Sequence, residues 1–108
     1  MTIMQGDSYP LYFKLSLSGE VLTPDLVAEM EICFGEVLRK LYSAKEIMFE
    51  KDTNRWYIWP TQEETLAMPV GSLSVIIRVR YNHASMKEVQ GYRVGTIKIL
   101  DTYSEEVI

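Results

Sequence analysis

The sequence predicts an all-β fold, an antiparallel sandwich or barrel of about seven or eight short strands with one short helical turn near residues 61–68. Three observations predict it. Apolar and polar residues alternate with a period of two along most of the chain, breaks rich in Gly, Pro, Asn and Asp recur at roughly ten-residue spacing, and no strand–helix–strand alternation is present. The 108 residues, 47% hydrophobic and 24% charged, make one domain. A chain of this size buries roughly two thirds of its unfolded surface without needing disulfides or a metal. Residues 1–101 are the expected domain and residues 102–108 an acidic C-terminal tail.

The first strand covers Tyr9 to Leu17: Tyr9, Leu11, Phe13, Leu15 and Leu17 are apolar, while Lys14 and Ser16 lie between them, the pattern of a half-buried strand. Ser18-Gly19-Glu20 is a turn and Thr23-Pro24-Asp25 a second break. In Val27 to Phe34 the alternation turns Ala28, Met30, Ile32 and Phe34 inward and Glu29, Glu31 and Cys33 outward. Residues 36–43, after the break at Gly35, read as a strand from their short length and flanking β signals, although Val37, Leu38 and Leu41 also fit a turn and a half of helix. Glu46 to Glu50 points Ile47 and Phe49 inward, and Lys51-Asp52-Thr53-Asn54 is a polar hairpin loop into Arg55 to Trp59. Pro60 ends that strand. Thr61-Gln62-Glu63-Glu64 then has the spacing of a capping box, so a helical turn should run to about Met68. Pro69 and Gly71 release the chain into Ser72 to Asn82, the longest strand, with Leu73, Val75, Ile77, Val79 and Tyr81 on one face and Ser74, Arg78 and Arg80 on the other. Asn82 to Ser85 is a turn, Lys87 to Tyr92 a return strand, and Val94 to Leu100 the last strand, with Ile97 and Ile99 inward. A one-turn helix between two long strands suits the corner where a chain passes between sheets in immunoglobulin-like sandwiches, and that is the sandwich type expected.

Charge narrows the function classes. A formal net charge of -4 speaks against a nucleic-acid partner, which demands a face basic enough to neutralise several phosphates. The charge is uneven: residues 1–71 hold 6 Lys/Arg and 11 Asp/Glu, so -5; residues 72–100 hold 5 and 1, so +4; residues 101–108 hold 0 and 3, so -3. Solvated strand faces that differ in sign explain this pattern. A sharper reading follows from Arg78 and Arg80, which alternate with Val79 and Tyr81 and so put positive charge on one outer sheet face. That face is expected to meet a partner, or the acidic Glu105-Glu106 tail of a neighbouring copy. A lone Cys33 forms no internal disulfide, which fits a reducing cytosol. Met1 to Pro10 has neither the basic nor the apolar region of a signal peptide, and no apolar run approaches the roughly 20 residues of a membrane helix. A soluble cytoplasmic protein without a membrane partner is expected.

No residue set points to catalysis, a cofactor or a metal. His83, alone in its turn, lacks the His or Cys partners a metal site needs. Cys33 lies beside Glu29 and Glu31, whose charge raises a thiol pKa rather than activating it. Glu63 with Glu64, Glu105 with Glu106 and Glu29 with Glu31 read as solvated charge and a helix cap, since acid–base pairs need environments that separate two pKa values. The aromatic residues are more informative. Trp56 and Ile58 belong to the core, which leaves Tyr57 and Trp59 on the opposite strand face as a partner or ligand surface; Tyr12, Tyr92 and Tyr103 can extend it. The candidate surface residues are therefore Tyr57, Trp59, Arg78, Arg80 and Tyr92.

Three stretches together resemble a family of small proteins encoded near the tail genes of phages and prophages of Gram-positive bacteria. Met4-Gln5-Gly6-Asp7-Ser8-Tyr9-Pro10-Leu11-Tyr12-Phe13-Lys14-Leu15 is similar to the strand start of the N-terminal domains of phage baseplate upper proteins. Trp59-Pro60-Thr61-Gln62-Glu63-Glu64-Thr65 resembles the family's corner after a strand. Val79-Arg80-Tyr81 with Gly95 to Val107 looks like its closing strand and tail. The resemblance implies an immunoglobulin-like β-sandwich with a virion or assembly role and no catalysis, and it supplies no catalytic residues. Unlike the baseplate proteins, this domain is expected to stand alone. Its expected partners are itself or tail and baseplate components, in the host cytoplasm or the virion. Lys87 and Glu88 are expected to block pairing at a sheet edge. The rival reading is a carbohydrate-binding sandwich that stacks sugars on Tyr57, Trp59 and Tyr92.

Overall fold

The structure, a computed structural model, describes residues 1–17, 19–82, 89–104 and 106–108. It is all-β, as expected. Its strands are β1 (Thr2–Met4), β2 (Leu11–Phe13), β3 (Ser16–Leu17), β4 (Glu20–Val21), β5 (Val27–Phe34), β6 (Leu38–Leu41), β7 (Ile47–Glu50), β8 (Arg55–Ile58), β9 (Gly71–Tyr81) and β10 (Val89–Leu100). One short helix, α1 (Gln62–Leu66), and a 3-10 turn at Pro24–Leu26 complete the elements. The strands form a five-stranded sheet in the order β1-β10-β9-β5-β6, a three-stranded sheet β2-β8-β7, and the small hairpin β3-β4.

The core grows from the period-two pattern. Met30, Ile32 and Phe34 of β5, Val75, Ile77, Val79 and Tyr81 of β9, and Ile97 and Ile99 of β10 are buried along the five-stranded sheet. Leu11, Ile47, Trp56 and Ile58 answer them from the three-stranded sheet and join the same cluster. Trp56 is fully buried, meets the rings of Phe49 and Tyr42 with centroids 5.0 and 5.6 Å apart, and donates its indole N–H to the Leu22 carbonyl at 2.9 Å. Each such burial stabilises the fold by roughly 1.5–3 kcal/mol, and the hydrogen bond removes the cost of an orphaned indole N–H.

Helix α1 begins as its capping box requires. Thr61 Oγ1 accepts from the Glu64 N–H at 3.1 Å, and Glu64 Oε1 accepts from the Thr61 N–H at 2.8 Å. The buried Thr65 hydroxyl fastens the link between β1 and β2 to this helix, accepting from the Gly6 N–H at 2.9 Å and donating to the Asp7 carbonyl at 2.8 Å. Gln5 and Ser8 add hydrogen bonds to the Met68 and Pro60 carbonyls.

Five expectations need correction. The sheets are not wholly antiparallel, because β1 pairs in parallel with the end of β10, Thr2 opposite Lys98 and Met4 opposite Leu100; three residues are too few for alternation to show, and their partner lies a chain length away. The expected strand from Tyr9 to Leu17 is split into β2 and β3, with Tyr9 exposed, since the Leu15 carbonyl turns to accept from the Leu22 N–H. Val27, not Ala28, faces inward, because a bulge between Val27 and Glu29 inserts one residue opposite β9. The last two expected strands are one, β10, carried through a bulge between Arg93 and Gly95. Glu20, expected in a turn, begins the short strand β4 with Val21, and together these changes raise the count to ten strands among the described residues. Residues 38–41 are a strand, so the helical alternative falls. His83, Lys87, Glu88 and the rest of the turn after Asn82 lie outside the described residues.

Candidate functional site

The outer face of the five-stranded sheet gathers two of the expected surface residues, Arg78 and Arg80. The pairing register sets Arg78 opposite Glu31 and Arg80 opposite Glu29, while Ile76 stands opposite Cys33, which in turn stands opposite Arg39. Glu31 takes the Arg39 guanidinium on one oxygen and has Arg78 4.0 Å from the other. The face is therefore charge-matched, not uniformly positive: the acidic residues of β5 are as regular as the basic ones of β9, and only the register shows that they meet. Burial would raise the Glu29 carboxyl, but bonds from Ser43 and Met30 together with the charge of Arg80 outweigh it and hold the carboxyl below its ordinary value. Burial and the neighbouring Glu31 push the Cys33 thiol up. Two apolar side chains stand in the open among these charges, Ile76 at 43% and Val89 at 54% exposed. A groove of about 200 Å³ runs between the charged residues and Val89.

The outer face of the three-stranded sheet carries a second cluster. Tyr12 and Tyr57 are cross-strand partners with ring centroids 5.4 Å apart, and the Arg55 guanidinium lies 3.8 Å over the Tyr12 ring. Glu50 accepts from the Thr53 hydroxyl at 2.6 Å and has the Arg55 guanidinium at 3.4 Å. The Thr53 bond is the main reason its carboxyl sits below the usual range, and partial desolvation followed by the Glu50 charge raises the Tyr12 hydroxyl. This face is satisfied by its own side chains.

Trp59 lies beyond the end of β8, 54% exposed, and donates its indole N–H to Ser8 Oγ at 3.2 Å. Among the described residues no ring contact joins it to Tyr57. Tyr92 is elsewhere: opposite the inward Ile77, half-buried against the core, with its hydroxyl on that of Tyr81. Tyr103, in the tail, is 93% exposed. The structure thus pairs Tyr57 with Tyr12 and Arg78 with Arg80, but does not assemble Tyr57, Trp59 and Tyr92 into one platform. The tail of the same copy reaches α1, where the Ile108 N–H donates to Gln62 Oε1; Glu105 lies outside the described residues.

Sequence reasoning missed Lys40. It is buried on β6, with its ammonium 2.5 Å from Glu64 Oε2 and 3.5 Å from Glu46. A lysine between Arg39 and Leu41 carries no signal of burial; only its even spacing from Leu38 places it on the inner side. Among the described residues, no group of three His, Cys, Asp or Glu is placed to hold a metal ion, and no helix is long and apolar enough to cross a membrane. The chain matches no family model, no curated protein and no solved structure.

Proposed function

We propose that this chain is an immunoglobulin-like β-sandwich that acts by protein–protein contact, without catalysis, in or around the tail or baseplate of a phage or prophage. Strand order supports the fold reading. β10-β9-β5-β6 follows the G-F-C-C′ sheet of variable-type domains and β2-β8-β7 the B-E-D sheet, with α1 at the corner between the two. The resemblance in the opening strand, the Trp59 to Thr65 corner and the closing strand supports the phage setting.

One observation carries the contact role: the outer face of the five-stranded sheet exposes Ile76 and Val89 within a ring of matched charges, Glu29, Glu31, Arg39, Arg78 and Arg80. Interfaces are built this way, with apolar residues inside and satisfied charge at the rim. Both signs lie on one face, so a second copy related by a two-fold axis meets it with opposite charges. Sedimentation velocity of the chain, alone and mixed with the tail fraction of an induced lysate, tests the role. Self-association or co-sedimentation with tail components is expected; a strict monomer that captures no tail component refutes it. A change in Trp59 fluorescence on adding host glycans, without either association, would favour the carbohydrate reading instead. Tyr57, already covered by Tyr12, would contribute little to it.

A further inference from the structure

We propose that the outer face of the five-stranded sheet packs on the same face of a second copy of this chain, about a two-fold axis that runs between β5 and β9 along the strands. This names a partner for the contact role above and rests on it. The face is laid out in columns of single sign: Glu29 and Glu31 on β5 stand opposite Arg80 and Arg78 on β9, and Cys33 stands opposite Ile76 in the next row. Arg78 and Arg80 are exposed. The Arg78 guanidinium comes no nearer than 4.0 Å to Glu31, and among the described residues Arg80 has no carboxylate within 4.0 Å. Both cations therefore remain open to a carboxylate from outside.

Such columns select one way for two copies to meet. A two-fold contact between two sheet faces has its axis in the plane of the contact. An axis across the strands lays β5 on β5 and β9 on β9, acid on acid and base on base. An axis along the strands lays β5 on β9 instead. Glu31 of each copy then meets Arg78 of the other, Glu29 meets Arg80, and Cys33 meets Ile76, because each pair already shares a row. In the row of Glu31 and Arg78, the same axis brings Leu41 of β6 over Gly91 of β10, and the exposed glycine sets no side chain against the leucine. Packed sheets cross at about 30°, so the axis leans about 15° from the strands and the match is closest in the central columns. The eight residues of β5 and the four strands from β10 to β6 mark out roughly 27 Å by 19 Å, about 500 Å² per copy and about 1,000 Å² for the pair. That is the lower end of specific interfaces, so the association is weak and reversible.

Sedimentation equilibrium of the chain alone, from about 10 µM to about 1 mM, tests it. A monomer–dimer equilibrium is expected. Arg78→Glu and Glu31→Arg should each weaken it at least about tenfold, since either sets like charges face to face across the axis. Mixed in equal amounts, the two variants should form a one-to-one heterodimer, which also shows that both are folded. The double variant Glu31→Arg/Arg78→Glu exchanges the columns in that row and should self-associate again, a recovery that requires β5 to lie on β9. Single variants that associate like the wild type would move the contact elsewhere or to another axis and overturn the proposal. So would a strict monomer at about 1 mM, assemblies larger than a dimer, a mixture that stays monomeric, or a double variant that is folded by circular dichroism yet monomeric. A monomer that still captures tail components overturns the second copy alone and leaves the contact role standing; a monomer that captures nothing removes both.

Discussion

Glu64→Gln should cost far more stability than Lys40→Met, although both break the same contact. Lys40 Nζ is 2.5 Å from Glu64 Oε2, with only 9% of the Lys40 side chain exposed against 25% for Glu64. Glutamine keeps the capping box with Thr61, so Glu64→Gln isolates the lost charge. It strands a buried ammonium whose remaining carboxylate, Glu46, is 3.5 Å away. Breaking a buried pair from one side costs about 3–5 kcal/mol, and the partial exposure together with Glu46 brings that down to about 2–3 kcal/mol. Lys40→Met removes the desolvated ammonium itself, fills its space, and leaves Glu64 capped and partly in water, so its cost stays below about 1 kcal/mol. At roughly 4 °C per kcal/mol for a domain of this size, Tm falls by about 8–12 °C for Glu64→Gln and by less than about 4 °C for Lys40→Met. Thermal unfolding followed by circular dichroism reads both. A Lys40→Met loss equal to or larger than that of Glu64→Gln would refute the view that the buried cation is the costly partner.

Acid should weaken the fold through the same group. Burial pushes the Glu64 carboxyl up, but bonds from Lys40 and Thr61 outweigh it and hold it below its ordinary value; its contribution is therefore present above about pH 4.3 and lost as pH falls through the lower folded value, so wild-type urea midpoints drop there while those of Glu64→Gln change less. Trp56→Phe removes the bond to the Leu22 carbonyl and leaves a void among Phe49 and Tyr42, which should cost about 2–3 kcal/mol in urea unfolding; a loss below about 1 kcal/mol would contradict the packing described. Cys33 should react slowly with a disulfide reagent at mildly alkaline pH, and Glu31→Gln should speed the reaction, since burial and the Glu31 charge both raise the thiol; an unchanged rate would mean that Glu31 does not act on it.

How far the fold was legible depended on the range over which each signal acts. The alternation in β5, β8 and β9 and the Thr61–Glu64 capping box are local, and each was readable from neighbouring residues. The parallel pairing of Thr2–Met4 with Lys98–Leu100 joins the two ends of the chain, and no local pattern encodes it. Bulges failed for a related reason: one inserted residue moved Ala28 to the surface without changing the alternation beyond it. For the candidate site, strand parity put Arg78 and Arg80 on an outer face, yet the Glu31 and Glu29 that stand opposite them became visible only with the β5–β9 register. The Tyr57, Trp59 and Tyr92 grouping dissolved because β8 stops at Ile58 and Tyr92 faces inward.

Cys33 provides a reporter in the middle of the outer sheet face, between Ile76 and Arg39. The most direct test of contact through that face is the rate of Cys33 alkylation, measured alongside iodide quenching of Trp fluorescence as the chain self-associates or binds a tail component. Slower alkylation with unchanged quenching of the exposed Trp59 is the predicted result. Unchanged alkylation with protected Trp59 would place the contact on the other side of the molecule and contradict the account.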